Sequence, residues 1–408
     1  MIMSKILFMS VGTGLGKTNP KESLAQGLAF SINETEPDHI VFIVTEKSKE
    51  TVTLIEKCYE EEYNNKIDYE TVHINSPDNF NECFEKISDK IKEYSDEKVY
   101  IDYTSGTKTM SLTVAIISVL YHNKLTSVTG KRGDNGTVIH GTEELIQHNP
   151  YSVYDKLNIE KVKHLFNYNR FETAAEILDT IVVLEDKEKI KTLINYYDKW
   201  DKFHHENFPN DMNSELFTDL EAQIKQNQKS MSIILNKEHD QKCYYLLADL
   251  INNSQRRYEE GKYDDAIARL YRSLELVAQI RLKKEYDIIT SDVDMKILGK
   301  HIELSKKYLE RLKGKGNNNK KIKIGLSEDY ILLNNLNDPI GQYYKQNEEE
   351  YKNILSKRNK SILAHGTEPK TKEDYEKFKE LVLNIARELD GRMDDFIEET
   401  KFPKFKVD

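Results

Sequence analysis

Hydrophobic positions divide the chain into two textures. Over the first 150 residues, short unbroken apolar runs alternate with stretches whose apolar residues recur every three or four positions. Ile6–Val11 and Ile40–Val44 are continuous runs of the kind that strands buried on both faces require. Leu24, Leu28 and Ile32 mark a helix between them, and Val52 and Ile55 begin another. A third strand is predicted at Tyr69–Ile74, then a helix starting near Asp78 with Phe80, Phe84, Ile87 and Ile91 on one face. Val99–Tyr103, a helix over Thr109–Asn123 and a strand over Leu125–Thr129 continue the alternation. Gly130–Gly136 reads as a hairpin tip, with Thr137–Ile139 returning antiparallel.

From about residue 150 to Lys401 the pattern is helical, with no further convincing strand. The chain is therefore predicted as an α/β Rossmann-like N-terminal domain, a mostly parallel sheet with an antiparallel hairpin, followed by an all-α helical C-terminal half. Phe171–Leu178 and Tyr263–Leu270 each place an aromatic three residues before an alanine, resembling a helical-hairpin repeat. Two copies do not build a solenoid, so they read as local helix packing. A helix is also predicted over Tyr351–Thr367, with Ile354, Leu355, Ile362 and Leu363 on its apolar face and Gly366 and Pro369 stopping it.

Composition narrows the functions. With 38% hydrophobic and 32% charged residues and a formal net charge of -10, the chain is not a general nucleic-acid coat protein, although a local basic pocket remains compatible. The three cysteines form no C-x-x-C pair, so neither a disulfide framework nor a zinc site is expected. No apolar run has the length of a membrane span, and the expected location is cytoplasmic, without membrane attachment.

Two loops carry candidate chemistry in the N-terminal half. The strand Val99–Tyr103 breaks into the turn Thr104-Ser105-Gly106-Thr107-Lys108 and then enters a buried helix. Such a turn aims backbone N–H groups and a helix dipole at one point, to which three hydroxyls and the Lys108 cation are added, forming a cradle for a phosphate or ribose-phosphate edge. The other loop follows the first strand, Ser10-Val11-Gly12-Thr13-Gly14-Leu15-Gly16-Lys17-Thr18. It is not a Walker A loop, because Gly12 and Gly16 are separated by three residues rather than four. It also fails the G-x-G-x-x-G fingerprint at Lys17. Ordinary turn chemistry explains either loop alone; two such loops beyond strands of one sheet point to a ligand site.

In the helical half, Arg358 and His365 lie seven positions apart, two turns of the predicted helix, and so share a stripe. An arginine and a histidine together support metal-free RNA cleavage: proton transfer at the ribose 2′-OH and the leaving oxygen, with the guanidinium steadying phosphorane charge. The plainer account is that Arg358 pairs with a surface carboxylate and His365 caps the helix. His204 and His205 are read as a helix-end cluster rather than a metal site, because neighbours on a helix point about 100° apart. Lys313–Lys323 reads as a solvated basic loop.

Together these residues resemble a known family. Ser10–Gly14 and Asp102-Tyr103-Thr104-Ser105-Gly106-Thr107-Lys108-Thr109-Met110, close to D-x-T-x-G-T-K-x-M, resemble a CARF (CRISPR-associated Rossmann-fold) domain. Arg358-Asn359 and His365 resemble the Arg-x(4–6)-His signature of HEPN ribonuclease domains, and the helix Tyr263–Ile280, with Arg269, Tyr271, Arg272 and Glu275, is similar to CARF–HEPN effectors. The resemblance implies a CARF-like ligand-sensing domain over 1–150, a helical connecting region over 151–250 and a HEPN-like effector domain over 251–408. It implies that Gly12, Thr13 and Gly14 approach a cyclic oligoadenylate of four or six units, and that Thr104, Ser105, Gly106, Thr107 and Lys108 hold its phosphates and riboses, with Lys131 and Arg132 assisting. It further implies a homodimer in which Arg358, Asn359 and His365 of both chains form a site that cuts single-stranded RNA, with no cofactor and no metal. Two alternatives stay open: a CARF sensor whose helical half only binds a partner, and a CARF cleft that degrades the cyclic oligoadenylate itself.

Overall fold

The computed structural model describes residues 3–14, 20–133, 138–210, 212, 214–315 and 322–406. The hairpin tip at 134–137, the end of the first glycine loop at 15–18 and the asparagine run at 317–319 lie outside these residues. The chain forms two compact units, Met1–Ile159 with Thr180–Leu184, and Glu160–Asp179 with Glu185–Asp408.

The first unit is a six-stranded sheet of order β3-β2-β1-β4-β5-β6. The strands are β1 (Lys5–Ser10), β2 (His39–Val44), β3 (Tyr69–His73), β4 (Lys98–Asp102), β5 (Lys124–Thr129) and β6 (Glu144–His148). All neighbours are parallel except β5 and β6. The continuous apolar runs have a simple cause: alternate residues enter two separate cores. Ile6 and Phe8 of β1 pack in one core with Ile87, Val114 and Ile117, from the helices α3 (Phe80–Lys92) and α4 (Lys108–Leu120). Leu7 and Met9 pack in the other with Leu28, Ile32 and Ile55, from α1 (Pro20–Thr35) and α2 (Lys49–Tyr63). The described part of the predicted return, Val138–Ile139, does run antiparallel, with an isolated bridge from Val138 to Arg132 and Ile139 N donating to the Lys131 carbonyl at 2.8 Å; a further strand, Glu144–His148, pairs antiparallel with β5. Four of the five residues of β6 are exposed, so it carries little apolar alternation for a sequence pattern to catch.

Among its described residues the second unit consists of helices joined by turns and loops, with no strand. The two repeat-like patterns each open the second helix of a hairpin, Phe171–Thr180 after Tyr151–Asn167 and Tyr263–Tyr286 after Lys242–Glu259. An aromatic pair spans each turn: Phe166 and Phe171 at 5.1 Å, Tyr258 and Tyr263 at 5.8 Å between ring centroids. The helix Lys187–Asp201 ends before the histidine pair; His204 is exposed, and His205 Nε2 lies 2.8 Å from the buried Asp249 carboxylate. Among the described residues, no helix is long and apolar enough to cross a membrane.

One predicted helix is shorter than its pattern. It spans Glu348–Asn359, and 360–365 form turns. Ile362 is 69% exposed and Leu363 47%, so these positions supply no core face to extend it. What the helix does bury is Tyr351, whose hydroxyl donates to the Leu381 carbonyl at 3.1 Å.

Candidate functional site

In the first unit β1 pairs with β2 on one side and β4 on the other, so the loops after β1 and β4 emerge side by side where the winding direction reverses. They are locked together. Ser105 Oγ donates to the Ser10 carbonyl at 2.7 Å and accepts from Gly12 N at 3.0 Å, while Ser10 Oγ donates to the Ser105 carbonyl. The glycines fit this contact: a Cβ on Gly12 would sit 2.9 Å from the Gly106 nitrogen, and Gly106 itself has φ +105°. The close backbone approach expected towards a ligand is thus first an approach of one loop to the other.

Asp102 fixes the base of the cradle. It is fully buried, and its carboxylate accepts from Ser31 Oγ at 2.5 Å and Thr104 N at 2.8 Å. Burial pushes its pKa up, partly offset by those bonds. Thr104 Oγ1 accepts from Val128 N at 2.8 Å, tying in the end of β5. Thr107 caps α4, accepting from Met110 N at 3.2 Å and donating to the Pro77 carbonyl at 2.8 Å. The three hydroxyls predicted to hold phosphate are therefore engaged within the fold, where they shape the loop. Lys108, in the first turn of α4, and Thr13 are exposed. Lys131 and Arg132 follow β5 beyond the same edge of the sheet and are exposed as well. The sequence pattern found this loop but gave no sign of Ser31.

In the second unit the shared-stripe geometry does not hold, because the helix ends between Arg358 and His365. A turn brings the residues together instead. Ser361 N donates to the Arg358 carbonyl at 3.0 Å, and His365 N to the Asn359 carbonyl at 3.1 Å. Gly366 is required there, since a Cβ would collide with the Lys360 carbonyl. Asn359 and His365 are exposed and Arg358 is half-buried.

The guanidinium of Arg358 has no carboxylate within ion-pair distance among the described residues, so the surface-carboxylate account fails. Its Nη1 donates to Asn359 Oδ1 at 3.3 Å, and its Cζ lies 4.0 Å from the centre of the Tyr271 ring, on the helix Tyr263–Tyr286. Asp329 acts electrostatically on Tyr271 and is fully buried, with neither oxygen hydrogen-bonded among the described residues. Burial, with the Glu275 and Glu328 carboxylates, raises its pKa to about 7. No spacing in the sequence indicates Tyr271 as a neighbour of Arg358, or Asp329 as one of Tyr271. Among the described residues no group of three or more acidic, histidine or cysteine side chains is placed to hold a metal ion.

Three family models of known proteins match along the chain. Residues 28–135 match a family model of the Card1 CARF domain. Residues 154–242 match the Csm6 6H domain and 236–389 the Csm6 HEPN domain. The chain is a CRISPR-associated CARF–HEPN protein. Within that class its helical half is similar to Csm6, domain by domain. The Enterococcus italicus Csm6 bound to cyclic hexa-2′-fluoro-hexa-dAMP has the same fold, with a TM-score of 0.68 and 14% identity over 97% of both chains. Two other solved structures align only weakly. VC1899 from Vibrio cholerae has a TM-score of 0.26 and 12% identity, over 56% of this chain and 68% of that one. Can2 from Sulfobacillus thermosulfidooxidans, in complex with cyclic tetra-adenylate, has a TM-score of 0.25 and 12% identity, over 71% and 70%. No curated protein matches the chain by sequence.

Proposed function

We propose that this protein is a cyclic-oligoadenylate-activated, metal-independent single-stranded RNA endoribonuclease of type III CRISPR antiviral defence, cytoplasmic and working as a homodimer. Residues 1–150 would sense the ligand, 151–250 connect, and 251–408 cut. The observation that carries the reading is the state of Arg358: its guanidinium rests on an aromatic ring beside Asn359, with no carboxylate paired to it among the described residues, and a glycine turn ties the backbone of His365 to that of Asn359. The Csm6 whose fold this chain shares was solved with a cyclic hexa-adenylate analogue, which supports an oligoadenylate ring as the signal.

In the proposed reaction, two chains pair and each contributes Arg358, Asn359 and His365. A neutral His365 imidazole accepts the proton of a ribose 2′-OH as that oxygen attacks the adjacent phosphorus. The P–O5′ bond breaks, and an imidazolium donates its proton to the departing 5′ oxygen, leaving a 2′,3′-cyclic phosphate. Arg358 stabilises the charge on the phosphorane oxygens. This chemistry needs a base, an acid and a cation, all of which the two side-chain types supply. In the N-terminal unit the ring would lie over the linked β1 and β4 loops, with Gly12, Thr13, Gly14 and Gly106 offering backbone and Lys108, Lys131 and Arg132 offering charge. The internal bonds of Thr104, Ser105 and Thr107 make their role chiefly one of shaping that surface.

The test is cleavage of a fluorescent single-stranded RNA in EDTA, with no ligand, cyclic tetra-adenylate or cyclic hexa-adenylate, and His365→Ala in parallel. Cleavage that needs one ring and disappears in the variant is the expected result. Ring binding without RNA cleavage would overturn the nuclease reading, and loss of the ring itself would identify a ring-degrading cleft.

A further inference from the structure

We propose that Tyr271 is a positioning residue for Arg358, its ring face holding the guanidinium ready for a phosphate while leaving the positive charge available. The proposal rests on the ribonuclease reading above and adds to it a residue 87 positions before Arg358 in the chain.

A carboxylate in the place of the ring would bind the guanidinium and cancel its charge before any substrate arrived. An aromatic face attracts a cation through its quadrupole and neutralises nothing. Two carboxylates, Glu275 and Asp329, act electrostatically on Tyr271, yet neither pairs with Arg358 among the described residues. Glu275 lies one turn further along the helix from Tyr271, but Arg272 Nη1 engages it at 3.4 Å and Gln279 Oε1 at 2.9 Å. Asp329 is fully buried and its raised pKa favours the neutral acid. Arg358 Nε is buried with no hydrogen bond among the described residues, so the guanidinium is held there by the ring and Asn359 alone.

The separation between ring and cation is itself fixed by a column of tyrosines. Tyr351, on the helix that carries Arg358, stacks on Tyr344 at 4.5 Å, and Tyr344 stacks on Tyr330 at 4.1 Å. The Tyr330 hydroxyl donates to the Leu274 carbonyl at 2.8 Å, on the same helix as Tyr271. The column thus fastens the two helices that bring ring and guanidinium together. Burial and the Glu275 carboxylate raise the Tyr271 phenol, so the ring stays a neutral phenol near neutral pH.

The test measures kcat and KM for ring-activated RNA cleavage by Tyr271→Phe, Tyr271→Trp and Tyr271→Leu, each also in an Arg358→Ala background, with Tm as a folding control. The expected result is that Phe stays within about 2-fold of the parent, while Leu lowers kcat by about 10- to 30-fold with KM little changed. Trp should recover most of what Leu loses, and Leu should cost nothing further once Arg358 is gone. A Leu variant as active as the parent overturns the proposal, as does an equal loss in the Arg358→Ala background or a Phe variant as damaged as Leu. A readout independent of activity is the ring-current shift of the Arg358 δ-protons in arginine-labelled protein, expected in the parent and Tyr271→Phe and absent in Tyr271→Leu. If neither ring elicits cleavage by the parent, the ribonuclease reading falls; absence of the shift in the parent separately overturns the placement of Arg358 on the ring.

Discussion

The cradle and the Arg–His turn solve opposite problems. At the cradle, two glycine-bearing loops bind each other first, and the hydroxyls of Ser10, Thr104, Ser105 and Thr107 are all engaged within the fold. At the turn, the side chains that matter are exposed or held only by an amide and a ring face. The buried acids repeat the contrast. Asp102 receives two hydrogen bonds, whereas Asp329 has none among the described residues. A surface that must present a fixed shape to a ligand is built from satisfied polar groups. A site that must stabilise charge formed during reaction keeps a cation unneutralised.

This contrast can be broken most forcefully at His365. Replacing it by Ala should lower ring-activated RNA cleavage by about 10²- to 10⁴-fold and leave ring affinity, measured by calorimetry, unchanged. If ring binding falls in parallel, the two regions are not separable.

Asp329 gives the next effect, through pH. Its folded pKa of about 7 stands above the usual aspartate value, so the folded state prefers the protonated acid. The resulting stability is fully present below pH 4 and is lost as pH rises through 7, by at most about 4 kcal/mol at 1.4 kcal/mol per unit. Asp329→Asn should flatten the fall in Tm of the helical unit between pH 5 and 8. An unchanged pH profile would show that Asp329 has partners outside the described set.

At the cradle, Gly106→Ala forces a side chain onto φ +105° and towards Ser10. Strain of about 1–3 kcal/mol should weaken ring binding by about 5- to 150-fold in titration calorimetry. The smallest effect is expected for Thr107→Val, which removes the α4 cap and lowers stability by about 1 kcal/mol in thermal unfolding, with ring affinity changed less than in Gly106→Ala.

Much was legible from sequence because it is local. The runs Ile6–Val11 and Ile40–Val44 could only be strands buried on both faces, and the turn from Thr104 to Lys108 could only follow one and start a helix. The edge strand Glu144–His148 was not, since a mostly exposed strand is shaped by its neighbour rather than by its own apolar pattern. The Arg–His pair was found by spacing, but on a helix that continued to Gly366. The real helix stops at Asn359 because Ile362 and Leu363 have nothing to pack against, and periodicity reports amphipathic spacing without reporting a partner surface.

The sequence by itself thus determined the order of the first five strands and the helices between them, the glycine-centred loop after the fourth strand, and the residues of the Arg–His turn, each set by neighbours within a few positions. Tertiary structure alone decided that Gly12 touches Gly106, that Ser31 donates to Asp102, and that Tyr271 lies beneath Arg358. Those contacts join residues from 71 to 94 positions apart. They exist only after separate elements have packed, because the energy that fixes them comes from burying whole faces rather than from the residues that finally meet.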